Sequence, residues 1–121
     1  MPIADVEIVT RPGERLAGDL AGALADALGA ALGCAPGRLW VRLRPLAAEG
    51  YAENGAGDGR PSPVFVTLLA YAPPEGEVLE RTARAVAQAV AGLTGRESAH
   101  VHLVVEPAAR GRVAFGGEVA R

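Results

Sequence analysis

Apolar residues along this chain follow two rhythms, and each rhythm occurs twice. Residues 3–9, IADVEIV, are rich in β-branched side chains with partial alternation, and Pro12-Gly13 closes the segment, which predicts a strand. From Glu14 the period lengthens. Leu16, Leu20, Leu24, Leu28 and Leu32, with Ala23, Ala27 and Ala31 beside them, recur at three- and four-residue steps and stop at Gly33, a natural C-cap. Residues 39–43, LWVRL, then alternate with period two and are predicted to end at Pro45. The second half has the same plan: VFVTLLAYA (64–72) as a strand, Pro73-Pro74 as a break, Leu79, Ala83, Val86, Val90 and Leu93 as a helical stripe, and VHLVV (101–105) as a last strand.

Sliding the chain by 61 residues aligns Pro2 with Pro63, Pro12 with Pro73, Glu14 with Glu75 and Leu32 with Leu93. The shared prolines and the shared order of elements read as a tandem duplication of a βαβ unit. The expectation is one domain over residues 1–121, with pseudo-repeats at 1–58 and 62–121 joined by a loop, ENGAGDGRPS (53–62), mobile by composition. Each helix, roughly 18 residues long, returns the chain for a parallel strand through a right-handed crossover. The fold class is therefore α+β, built from βαβ units, with a four-stranded sheet and two helices on one face. The strands at 64–72 and 101–105 are nearly continuous in apolar residues, as strands buried on both faces are. Two helices cannot cover two faces, so the second face calls for a partner, and self-association is the simplest one.

Charge removes several function classes. With 14 acidic and 12 basic side chains, a net charge of −2, the chain has no basic footprint for nucleic acid or an anionic membrane. A single Cys34 forms no internal disulfide, and His100 and His102 alone make no zinc-spaced cluster. No cofactor or metal is expected. No apolar run has the length of a membrane span and no basic, apolar leader precedes Asp5 and Glu7, so the expected setting is soluble and cytoplasmic. All 12 basic residues are arginine, which makes arginine the default cation here and weakens any inference from its presence alone.

Candidate chemistry begins at the second residue. Methionine before a small residue is commonly removed, and removal of Met1 would leave Pro2 with a free secondary amine. A base works best with a pKa near the ambient pH, and apolar surroundings or nearby guanidinium groups lower that of an amine. The ring also fixes φ and so aims the lone pair. Pro63, the repeat's counterpart under the 61-residue slide, has an amide nitrogen without basicity, so one site per chain is expected. Without further context, Pro2 also reads as a strand-initiating proline with no other role.

The start Met-Pro-Ile, the duplicated βαβ unit, the segment APGRLWVRLRPL (35–46) and the glycine-rich tail ARGRVAFGGEVA (109–120) together resemble the tautomerase superfamily, which includes 4-oxalocrotonate tautomerase and macrophage migration inhibitory factor. The resemblance implies a homotrimer with active sites near subunit interfaces, Pro2 as catalytic base, and proton transfer between the keto and enol forms of a small carboxylic acid. It implies arginines that hold the substrate carboxylate, but Arg11 lies one place before the family's position and Arg42 one place after it. Such an offset in a strand reverses the face. Arg38, Arg42 and Arg44 share one face by period two, with Trp40 between them. Cys34 stands where the inhibitory-factor branch has a lysine. His102, with His100, aligns with a strand that presents polar side chains to the ligand, and Val113 and Phe115 match the apolar wall of the pocket. Each of these residues also has a structural reading: ion pairs or solvated faces for the arginines, a satisfied strand histidine for His102, core for Phe115.

Three further functions share these features. A proline-dependent hydratase, dehalogenase or decarboxylase would use the same site. A trimeric binding or signalling module would use the scaffold without turnover. A ferredoxin-like regulatory domain would build a different sheet from two βαβ units and leave the glycine-rich tail without a purpose.

Overall fold

The computed structural model describes residues 2–121; Met1, on whose removal the Pro2 chemistry depends, lies outside the described residues. Six strands and two helices form in the order β1 (Ile3–Val9), α1 (Leu20–Leu32), β2 (Trp40–Leu46), β3 (Val64–Leu69), α2 (Gly76–Thr94), β4 (Val101–Val105), β5 (Ala114–Phe115) and β6 (Glu118–Val119). The main sheet runs β2-β1-β3-β4. Within each half the two strands are adjacent and parallel, Ile3 opposite Trp40 and Val64 opposite Val101, and the halves join through antiparallel β1 and β3 with Val6 opposite Val66. A split βαβ unit places another strand between its parallel pair. None intervenes here, so the ferredoxin-like alternative is excluded by topology.

Both helices pack on one face. Ala4, Val6 and Ile8 of β1 and Val64 and Val66 of β3 are buried against Leu20, Leu24 and Leu28 of α1 and Val86 and Val90 of α2. Helix α1 is shorter than its apolar stripe predicts. Glu14 accepts hydrogen bonds from the Arg11 backbone and the Arg96 side chain, holding residues 14–19 out of helix, and Leu16 packs on the core from this segment. Strand β2 runs past the predicted stop at Pro45. It is an edge strand, where a missing N–H is tolerated, and Pro45 sits opposite Ile8. Strand β3 ends at Leu69, three residues short of expectation. The joining loop, expected to be mobile, is held by Arg60, whose guanidinium donates to the carbonyls of Tyr51 at 2.9 Å and Ala48 at 2.6 Å.

The internal repeat is also out of step with the 61-residue slide. On the helix-covered face Ala4, Val6 and Ile8 correspond to the buried Val66, Leu68 and Ala70, a shift of 62 residues. The helices correspond in the same way: buried Leu24 and Leu28 match Val86 and Val90, and the left-handed C-cap Gly33 matches Gly95. The turn bonds from the Arg38 N–H to the Ala35 carbonyl and from the His100 N–H to the Glu97 carbonyl repeat at the same spacing. A slide of 61 is one residue short and reverses the face of every strand residue. The counterpart of Pro2 is therefore Val64, not Pro63.

The opposite sheet face carries Ile3, Asp5, Trp40, Arg42, Phe65, Thr67, Leu69, His102 and Val104 in alternation. Trp40 keeps 43% of its surface exposed and Val104 53%. The tail folds back toward this face as the β5–β6 hairpin, turned by Gly116 and Gly117 at φ 60° and 89°. Positive φ at both central residues is the two-residue hairpin geometry that glycine permits. Phe115 meets Trp40 edge-on, ring centroids 5.6 Å apart.

Candidate active site

Pro2 lies at the end of the sheet where α1 finishes and α2 begins. Its carbonyl accepts from the Trp40 N–H at 3.1 Å, which seats the ring against β2. The ring lines a cleft of about 560 Å³ formed by the end of α1 (Leu32, Gly33, Cys34), the end of β3 with the strand-to-helix connection (Leu68, Ala70, Ala72, Pro74), and the first turns of α2 (Val78, Thr82). No lining residue carries a charge. An amine in such surroundings favours its neutral form.

A second cavity, about 270 Å³, opens on the other side of the sheet, lined by Ile3, Asp5, Arg42, Thr67, Glu106, Arg112 and Val113. Inside it Arg42 forms a two-pronged pair with Asp5, Nε to Oδ1 at 2.6 Å and Nη2 to Oδ2 at 2.8 Å. This hydrogen bonding holds the Asp5 carboxyl below its ordinary range. Arg42 therefore already has a carboxylate partner.

The remaining candidates fall at two ends of the sheet. Arg38 is exposed in the turn before β2, near Pro2, and its side chain makes no hydrogen bond or ion pair among the described residues. Val113 and Phe115 approach the same end from the tail. Arg11 lies beyond the far end of β1, more than ~20 Å away at ~3.3 Å per strand residue. Its guanidinium donates to the Gly95 carbonyl at 3.0 Å and approaches Glu14 at 3.8 Å. His102 sits opposite Phe65, which pairs with Glu7, again far from Pro2, and its ring leans on Phe65 at 5.4 Å. His100 lies in a short 3₁₀ turn before β4, off the strand. A single chain thus gathers Pro2, Arg38, Arg42, Val113 and Phe115 at one end and separates Arg11 and His102 from them.

Two features escape a reading by spacing. The cleft residues of α2 reach Pro2 only through the helix packing. Arg96 is the other: its side chain is 2% exposed and uses all its N–H groups, donating to Ser62, Thr94 and Val9 carbonyls and, through two nitrogens, to Glu14 at 2.8 and 2.7 Å. Those bonds lower the Glu14 carboxyl from 4.5 to about 2. The signal available in the sequence was positional, since Arg96 follows the C-cap Gly95 as Cys34 follows Gly33.

Among the described residues no group of three or more His, Cys, Asp or Glu side chains is arranged to hold a metal, and no helix is long and apolar enough to cross a membrane. No family model and no curated protein matches the sequence. Solved structures do match in shape. A fused 4-OT, described as a symmetric trimer, superposes with a TM-score of 0.75 at 19% identity, over 98% of this chain and 94% of that one. The FG41 malonate semialdehyde decarboxylase inhibited by 3-bromopropiolate gives 0.70 at 19% identity, over 94% and 88%. The macrophage migration inhibitory factor of Trichinella spiralis gives 0.73 at 12% identity, over 96% and 97%. Likeness at these identities is a likeness of fold, and this chain carries the fold that these three structures have.

Proposed function

We propose that the protein is a tautomerase-like enzyme in which Pro2, freed by removal of Met1, is the general base for keto–enol proton transfer on a small α-keto or enol carboxylic acid. The observation that carries this reading is the placement of Pro2 on an uncharged cleft, surroundings that favour the neutral form of its amine once that amine is free. The base takes a proton from the carbon next to the ketone, and the ring's fixed geometry aims the lone pair. Negative charge then develops on the carbonyl oxygen and needs a donor or a cation. Arg38, two residues before the Trp40 that bonds Pro2 and without a partner among the described residues, is the residue of this chain best placed to meet the substrate carboxylate, as Arg42 is occupied by Asp5.

A homotrimer completes the site in this reading. The half-covered sheet face, with Trp40 and Val104 exposed, supplies apolar area for contact. A neighbouring copy could bring its own Arg11 end or His102 end to the Pro2 end, which one chain cannot do. The fused 4-OT of the same fold is a symmetric trimer. A second reading, proline-assisted decarboxylation, draws on the likeness to malonate semialdehyde decarboxylase. The setting in which the protein works is proposed as cytoplasmic.

The test combines intact mass with turnover. A chain lighter by one methionine that enolises phenylpyruvate or a 2-hydroxydienoate, and loses that activity in a correctly processed Pro2→Ala variant, supports the proposal. Retained Met1 in the native protein, or full activity without Pro2, refutes it. Release of carbon dioxide from a 3-oxo acid without enolisation selects the second reading.

A further inference from the structure

The hollow between the tail and the sheet, about 270 Å³ on the face away from the helices, is lined by two carboxylates and two guanidinium groups, whose charges cancel. Asp5 and Arg42 satisfy each other through bonds of 2.6 and 2.8 Å, which leaves the Arg42 Nη1 unused among the described residues. Glu106 and Arg112 do not pair. Neither makes an ion pair among the described residues, although opposite charges lining one small cavity attract. The backbone holds them apart: the Glu106 N–H extends the pairing of β4 to the Leu68 carbonyl at 2.8 Å, and the Arg112 N–H closes a turn on the Ala109 carbonyl at 2.8 Å. The Arg112 Nη1 turns to the Ala108 carbonyl at 3.4 Å, a long contact that leaves its other donors idle. The Thr67 hydroxyl in the same lining has no hydrogen-bond partner among the described residues.

We infer that this cavity binds a small zwitterion, an α-amino acid with an apolar side chain, whose ammonium group meets Glu106 and whose carboxylate meets Arg112 and the idle Nη1 of Arg42. Its side chain rests on Ile3, Leu69 and Val113. The charge count selects this class. A simple carboxylate would bring a second anion beside an unpaired Glu106, and a simple amine would leave Arg112 stripped of water without a partner; a ligand carrying both charges satisfies both groups. The cavity, about 270 Å³, lies just below the roughly 300 Å³ at which drug-sized sites begin, which suits one small molecule. The site is independent of the Pro2 chemistry, because the two hollows open on opposite sides of the sheet.

The experiment is calorimetric titration of the full chain with L-leucine, beside isocaproate, which lacks the ammonium group, and isoamylamine, which lacks the carboxylate. Methyl NMR locates the contact. Wild type is expected to bind leucine saturably and at least ~10-fold tighter than either analogue, with shifts at the Thr67 and Val113 methyls. Glu106→Gln and Arg112→Gln, both at exposed positions and checked for folding by urea, are each expected to weaken leucine binding on the order of 10-fold or more. The comparison of the three ligands needs no variant. Pro2→Ala is expected to bind leucine as wild type does, so loss of enolisation and loss of this site are read separately. A wild type that does not bind leucine overturns the inference, as happens if a neighbouring copy fills the cavity. So does equal affinity for isocaproate, which makes the cavity a plain anion site. Shifts confined to Ala70, Ala72 and Val78 of the Pro2 cleft, or wild-type affinity in both folded charge variants, overturn it as well.

Discussion

Replacing Glu14 by glutamine removes one negative charge from the most enclosed ion pair of the described residues while keeping the side chain's length. The carboxylate binds the buried Arg96 guanidinium through two oxygens and accepts the Arg11 backbone N–H at 2.9 Å. Its pKa falls from the ordinary 4.5 to about 2, chiefly through the Arg96 hydrogen bonds. At ~1.4 kcal/mol per pH unit that difference sets a ceiling of about 3 kcal/mol. With 22% of the Glu14 side chain in water, screening reduces the measurable share to ~1–2 kcal/mol. A depressed carboxyl stabilises the fold above its unfolded value and ceases to do so as the pH drops through its folded value. Urea unfolding of wild type and Glu14→Gln, at one fixed chain concentration because self-association adds its own stability, is therefore expected to show a gap of that size at pH 7. The gap should begin to close below about pH 4.5 and be nearly gone at about 2. A gap that stays constant from pH 7 to the acid limit would refute the electrostatic origin of the staple.

Two other expectations follow from packing. Leu24→Ala deletes a fully buried side chain between α1 and the central strands, and should lower stability by ~2–5 kcal/mol in the same urea assay, whereas a loss under 1 kcal/mol would mean that this core is not closely packed. Trp40, the sole tryptophan, sits half-exposed on the proposed contact face, so its emission should move to shorter wavelength as chain concentration rises through the range where sedimentation detects a trimer. Emission unchanged by trimer formation would place the interface elsewhere.

Local pattern determined much of the architecture. Short runs of β-branched and apolar residues gave β1 and β4 to the residue, and a 3.6-residue stripe located the end of α1 at the terminal glycine Gly33 and the end of α2 at Leu93, one residue before its last. The need for a second cover on the sheet followed from counting faces. Tertiary structure alone decided the rest. The start of α1 was set by Arg96, some 80 residues away, capturing Glu14, a contact no local period encodes. The repeat offset was misread by one residue because matching prolines outweighed the strand faces, and only burial and strand register in the fold show the shift of 62. The candidate arginines were indistinguishable along the chain; folding gave Arg42 to Asp5, Arg11 to Gly95 and left Arg38 without a hydrogen-bond or ion-pair partner among the described residues, in the turn before β2. Sequence proximity fixes which face a side chain takes, while the partner it meets depends on segments distant along the chain. For that reason Pro2 could be singled out from its position, but the uncharged cleft that would make it a base could be found only in the fold.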